Sequence, residues 1–93
     1  MHPLSPEEAQ SRLASLAGWQ IVAGELAKTF QFKDFAASLR FVNQVGELAE
    51  QAGHHPDIDI RYNRVRLALT THDAGGLTQK DFDMAAHVQN IAD

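Results

Sequence analysis

The chain has 93 residues, a formal net charge of −4 with its histidines neutral, a hydrophobic fraction of 44% and no cysteine. One domain, 1–93, fits that length, and the apolar share is that of a folded globular protein rather than a disordered one. The missing cysteines exclude disulfides, thiolate metal sites and thiol catalysis; the acidic balance speaks against direct nucleic-acid binding; and no apolar run nears the roughly 20 residues of a membrane helix.

The N-terminus, MHPLSPEEAQ, lacks the basic-then-apolar run of a secretory signal. Together with the missing cysteines this fits a cytoplasmic protein. Ser5-Pro6-Glu7-Glu8 starts a helix: a capping serine, proline at the first helical position, then acids at the positive end of the dipole. Leu13, Leu16 and Ala17 give it an apolar side and Gly18 ends it. Two strands follow, Trp19 to Val22 and Glu25 to Phe32, joined by a turn at Ala23-Gly24. Leu26, Phe30 and Phe32 share one strand face at a two-residue period.

Asp34 caps a long helix reaching about Ala52. Phe35, Leu39, Val42, Val45, Ala49 and Ala52 form its stripe, widened by Phe41 and Leu48. Gly53 supplies a left-handed C-cap. Pro56 forbids further helix, and a second hairpin begins. Ile58 and Ile60 alternate with Asp57, Asp59 and Arg61; Val65, Leu67 and Leu69 alternate with Arg64, Arg66 and Ala68. Tyr62-Asn63 makes the turn, with Asn63 suited to a positive φ. Thr71 to Gly76 is a loop, and a last helix runs from Thr78 to the C-terminus with Phe82, Ala85, Val88 and Ala92 inward. Tight hairpins argue for an antiparallel sheet, so the pattern predicts an α+β fold of order α-β-β-α-β-β-α: four antiparallel strands with three helices on one face. A domain this small buries only about 60–65% of its unfolded surface. Its thin core would gain from pairing with further copies.

Three histidines carry the candidate chemistry. His54 and His55 lie between a helix C-cap and a proline; His72 leaves a strand into a Gly-rich loop. If the second hairpin packs beside the long helix, both places fall at one end of the sheet. Imidazole donates and accepts protons near neutral pH, so it can act as general acid or general base. Each residue also has a plainer reading: His54 as a cation at a helix C-terminus, His55 as a surface residue. Three histidines can also bind zinc, but adjacent histidines on extended chain point apart. Glu50, one turn before His54, is placed to orient it or to stand exposed. Asp81 completes a capping box with Thr78, and as a first-turn carboxylate it can also meet His72. Trp19 is either core or the flat wall of an aromatic-ligand pocket. Arg61, Arg64 and Arg66 read as a solvated mixed-charge strand face or as an anchor for an anionic ligand. His2 and His87 receive no role.

Glu50-Gln51-Ala52-Gly53-His54-His55-Pro56, Tyr62-Asn63-Arg64-Val65 and Thr70-Thr71-His72-Asp73-Ala74-Gly75-Gly76-Leu77-Thr78-Gln79-Lys80-Asp81 together resemble the signature of the pterin-4a-carbinolamine dehydratase family. Leu4 to Glu8, Gly18-Trp19 and Thr29 to Phe35 are similar to its N-terminal half. The resemblance implies the same four-stranded fold, a homo-dimer or homo-tetramer, and no metal or organic cofactor. It implies a hydro-lyase that converts 4a-hydroxytetrahydropterin, left by an aromatic amino-acid hydroxylase, to quinonoid dihydropterin in tetrahydrobiopterin-type recycling. By matching positions His54, His55 and His72 are the pterin-site histidines. His54 and His72 are then candidates for proton transfer to the leaving hydroxyl, and His55 for binding and the N5 proton. Glu50 and Asp81 match supporting carboxylates; Trp19, Pro56 and Thr71 fall at substrate-binding places. Ile58 departs from the pattern, since members often carry an aromatic there. Some relatives of such chains serve instead as transcriptional coactivators or assembly factors, which is the alternative reading. Neither reading involves a membrane or direct contact with nucleic acid.

Overall fold

In the computed structural model, which describes residues 2–93, Ser5 opens helix α1 (Pro6–Leu13) with a complete capping box. Its hydroxyl accepts the Glu8 N–H at 3.2 Å, and the Glu8 carboxylate accepts the Ser5 N–H at 3.0 Å. The helix stops at Leu13, well short of the expected end at Gly18. The Ser15 hydroxyl and N–H both turn back to the Arg12 carbonyl, and Leu16 and Trp19 bond three residues back. Such bonds tighten a helix end rather than extend it.

The capping box also makes a pH prediction. The backbone and side chain of Ser5 hold the Glu8 carboxyl below its ordinary range. A carboxylate with a depressed folded-state pKa supports the fold above its unfolded pKa, and that support fades as pH falls through the folded value. Amide exchange in the first turn of α1 is expected to quicken once pH falls below the ordinary glutamate range, and Glu8→Gln is expected to remove that dependence.

The sheet orders its strands β1 (Gln20–Val22), β2 (Glu25–Gln31), β4 (Arg64–Leu69), β3 (Asp57–Arg61), all neighbours antiparallel. Trp19 and Phe32 lie just outside the strands expected to contain them. Ala23 and Gly24 both take positive φ, 52° and 79°, the twist a two-residue hairpin needs. In the second hairpin Tyr62, not Asn63, takes φ 51°. Asn63 is tied to the end of β2: its Nδ2 donates to the Phe32 carbonyl at 3.0 Å and its own carbonyl accepts the Phe32 N–H at 2.7 Å. The positive φ therefore falls on the exposed Tyr62.

Register places Leu26 opposite Leu69, Phe30 and Ile60 opposite Val65, and Ile58 opposite Leu67. This face meets α1, α2 (Phe35–Ala52) and α3 (Gln79–Ala92) through Ala9, Phe41, Val45, Phe82, Ala85 and Val88. The three helices therefore share one face, as expected. Asp34 caps α2 by accepting the Ala37 N–H at 2.8 Å. The buried line of α2 is Ser38, Phe41, Val45 and Ala49. Phe35 and Leu39, expected inside, are exposed at 44% and 39%, and Ala52 is exposed too. The helix is apolar around much of its girth, and the Phe41 ring, 4.9 Å from both Phe30 and Phe32, selects which side turns inward. On the helix-free face Ala27 and Ala68 pair at the centre, and Arg61, Arg64 and Arg66 stand exposed among Asp59, Thr29 and Gln31. That is the solvated mixed-charge face. No helix among the described residues is long and apolar enough to cross a membrane.

Candidate active site

The C-terminal cap of α2 aims the first two histidines. Gly53 takes φ 62°, and the Ala49 carbonyl accepts the N–H groups of both Gly53 and His54. Only a residue at ease with positive φ reverses the chain there. The His54 side chain is 13% exposed and the His55 side chain 60%. The third histidine opens a 3₁₀ turn, His72–Ala74, pinned at its base by paired hydrogen bonds between Thr71 and Gly76. Gly75, at φ 77°, closes the turn by donating to the His72 and Thr71 carbonyls.

These two segments meet. Gly53, His54, His55, Thr70, Thr71, His72, Asp73 and Lys80 line one open cleft of about 220 Å3. That volume is below the roughly 300–1,000 Å3 of pockets that engulf a drug-sized ligand, so a flat bicyclic ring held here keeps an edge in solvent. Ala52, Lys80, Asp83, Met84 and His87 line a neighbouring hollow of about 190 Å3 that shares His54. A larger hollow of about 330 Å3, at Pro3, Leu4, Ile21 and Leu77, contains no titratable side chain and offers no chemistry.

Each of the two carboxylates holds a different imidazole from the one expected. Asp81, fully buried, accepts from His54 Nε2 at 2.7 Å; it meets His54, not His72. Glu50 lies 2.5 Å from His55 Nε2; it supports His55, not His54. The second oxygen of Asp81 accepts the Thr71 hydroxyl at 2.8 Å and the Thr78 N–H at 2.9 Å. Asp81 thus completes the expected capping box and holds a site histidine with the same carboxylate. Among the described residues no three His, Cys, Asp or Glu side chains are placed to hold one metal ion.

Thr71 lines the cleft, although its hydroxyl is buried against Asp81 and Thr78. Pro56 and Trp19 do not line it. Trp19 is 3% exposed, packs edge-on against Phe30 and donates its indole N–H to Gln89 at 3.2 Å; of its two readings, the structure has the core one. Lys80, Asp73 and Thr70 line the cleft without having been singled out. Their sequence signal was their place in the family motif, beside Asp81, His72 and Thr71.

The arrangement has an acid–base character: three imidazoles on one cleft, two of them oriented by carboxylates. A family model described as pterin 4 alpha carbinolamine dehydratase matches residues 2–91. A protein of Acidobacterium capsulatum, provisionally named a pterin-4-alpha-carbinolamine dehydratase, is 58% identical over 98% of this chain and 99% of its own. A Nostoc relative with the same provisional name is 56% identical over 95% of each chain. Among solved structures, a transcriptional coactivator/pterin dehydratase from Brucella melitensis superposes with a TM-score of 0.95 at 36% identity, covering 99% of this chain and 100% of that one. A pterin dehydratase-like protein described as a RuBisCO assembly factor of the alpha-carboxysome matches with a TM-score of 0.66 at 27% identity, over 80% of this chain and 86% of that one. Fold, motif and near-complete coverage agree: the chain belongs to the pterin-4a-carbinolamine dehydratase family, a family of hydro-lyases.

Proposed function

We propose that the three-histidine cleft dehydrates a 4a-hydroxytetrahydropterin to the quinonoid dihydropterin by general acid–base catalysis. The observation that carries this reading is the convergence of His54, His55 and His72, from two separate segments, on one cleft. The reaction breaks the C4a–O bond and removes the N5 proton. An imidazolium, His54 or His72, gives its proton to the departing hydroxyl, and a neutral imidazole, His55, takes the N5 proton. Positioned acid–base groups contribute about 10²–10⁴-fold, enough to accelerate a carbinolamine that also loses water unaided. Thr71 supports the site from behind the cleft; Pro56 sets the extended chain that follows His55. Stopped-flow absorbance with a freshly generated pterin carbinolamine is the test. Dehydration well above the buffer rate is expected, and a rate equal to buffer rejects the reading.

In this reading the substrate comes from an aromatic amino-acid hydroxylase, and the enzyme serves tetrahydropterin recycling in a reducing cytoplasm. The exposed Phe35 and Leu39 on α2, with Val22 and Ile58 on the edge strands, support a homo-dimer or homo-tetramer, which sedimentation will resolve. The coactivator and assembly-factor roles ascribed to the two solved neighbours motivate a second, non-catalytic reading. A partner captured equally well by the wild type and by a variant without turnover would favour it.

A further inference from the structure

We infer that Thr78 is a positioning residue for His54, acting through Thr71 and Asp81, and that it commits His54 to the tautomer whose Nδ1 does the proton transfer. The inference rests on the dehydratase reading and adds a residue and an atom to it. Asp81 Oδ2 receives the Thr78 N–H, a group that can only donate, and the Thr71 hydroxyl at 2.8 Å. Thr71 Oγ1 also lies 2.8 Å from Thr78 Oγ1. The single Thr71 proton is spent on Asp81, so the Thr78 hydroxyl must supply the proton of the bond between the two threonines. Thr78 Oγ1 in turn accepts the Lys80 N–H at 3.3 Å. Every donor in this buried chain therefore runs one way, Thr78 to Thr71 to Asp81, and Oδ2 is left as acceptor only.

As a carboxylate Asp81 accepts at Oδ1 too, so the proton of that 2.7 Å contact belongs to His54 Nε2. The neutral ring then has its lone pair at Nδ1. That nitrogen has no partner among the described residues, yet no buried side-chain nitrogen or oxygen is left without one. Nδ1 is consequently open to solvent, through the clefts that His54 lines. As acid, the His54 imidazolium gives its Nδ1 proton to the departing hydroxyl, which leaves as water. The tautomer left behind is the one Asp81 already holds, so no ring flip or proton shuffle separates turnovers. Without the Thr78 hydroxyl the Thr71 rotor is free to turn. Asp81 is then no longer confined to accepting, and a second tautomer of His54 becomes accessible.

The test compares Thr78→Val and Thr78→Ser with the wild type by ¹⁵N NMR of the His54 ring and by steady-state dehydration kinetics. Neutral His54 is expected to carry its proton on Nε2 in the wild type. Thr78→Val is expected to show mixed tautomers and a kcat lower by about three- to tenfold, the worth of roughly one net hydrogen bond, with KM little changed. Thr78→Ser, which retains cap and hydroxyl, is expected to restore both. If Thr78→Val fails to fold for want of its cap, Thr71→Val breaks the same chain one link nearer Asp81 and is read the same way. A wild-type proton on Nδ1, or a hydroxyl-less variant with the wild-type tautomer and kcat, overturns the inference. A wild type that holds the Nε2–H tautomer yet dehydrates nothing fails the dehydratase reading instead, so the two failures are distinguishable.

Discussion

Replacing His55 and His72 together by alanine is expected to remove most of the catalysed dehydration and leave the fold standing. Both rings line the cleft, and neither holds the structure together. His72 is exposed. His55 is 60% exposed and its partner Glu50 78%, so that pair contributes at most about 1 kcal/mol. Losing two proton-handling groups is expected to lower kcat/KM by about 10²-fold or more. Stopped-flow turnover and thermal melting, run on the same preparation, separate chemistry from folding. Near-wild-type turnover in the double variant would show that the imidazoles are bystanders.

The second large effect belongs to Asp81 and falls on stability as well as rate. The carboxylate is fully buried and receives three donors: His54 Nε2, the Thr71 hydroxyl and the Thr78 N–H. Asp81→Ala strands all three and removes the return half of the α3 capping box. An unmade buried hydrogen bond costs about 1–3 kcal/mol, and breaking a buried ionic partnership about 3–5. Because relaxation and water entry recover part of this, the expected loss is about 2–4 kcal/mol. That is a large share of the roughly 5–15 kcal/mol that holds a small domain together. The urea midpoint is expected to fall accordingly, and kcat with it, because His54 loses its anchor. Asp81→Asn retains the shape but turns an amide donor toward donors, so it is expected to fall between the two. An unmoved midpoint in Asp81→Ala would mean that the buried network contributes nothing.

The same residue shows what was legible in advance. Thr78 and Asp81 are three positions apart, and a capping box is a local contract between an N-cap and its third helical neighbour; sequence spacing alone predicts it. The grip of Asp81 on His54 is not local. It joins the end of α2 to the start of α3, and it exists only because both helices lie on one sheet face. Glu50 gives a subtler case, since it stands near both His54 and His55 along the chain. That it holds His55 is a side-chain contact that a residue count does not carry. Trp19 reads by sequence as core or as a ligand wall; its burial against Phe30, with a hydrogen bond to Gln89 at the other end of the chain, places it in the core.

By itself, then, the sequence determined the order of elements, the caps at Ser5, Asp34, Gly53 and Thr78, the strand alternation, the antiparallel sheet and the family motif. All of these depend on residues within a turn or two of one another, where periodicity and backbone preference act. Tertiary structure alone decided which side of α2 turns inward, which carboxylate holds which imidazole, and that His72 shares a cleft with His54 and His55. Those outcomes depend on side chains distant in the chain competing for the same few partners, and packing settles that competition only once the sheet has brought them within hydrogen-bond reach.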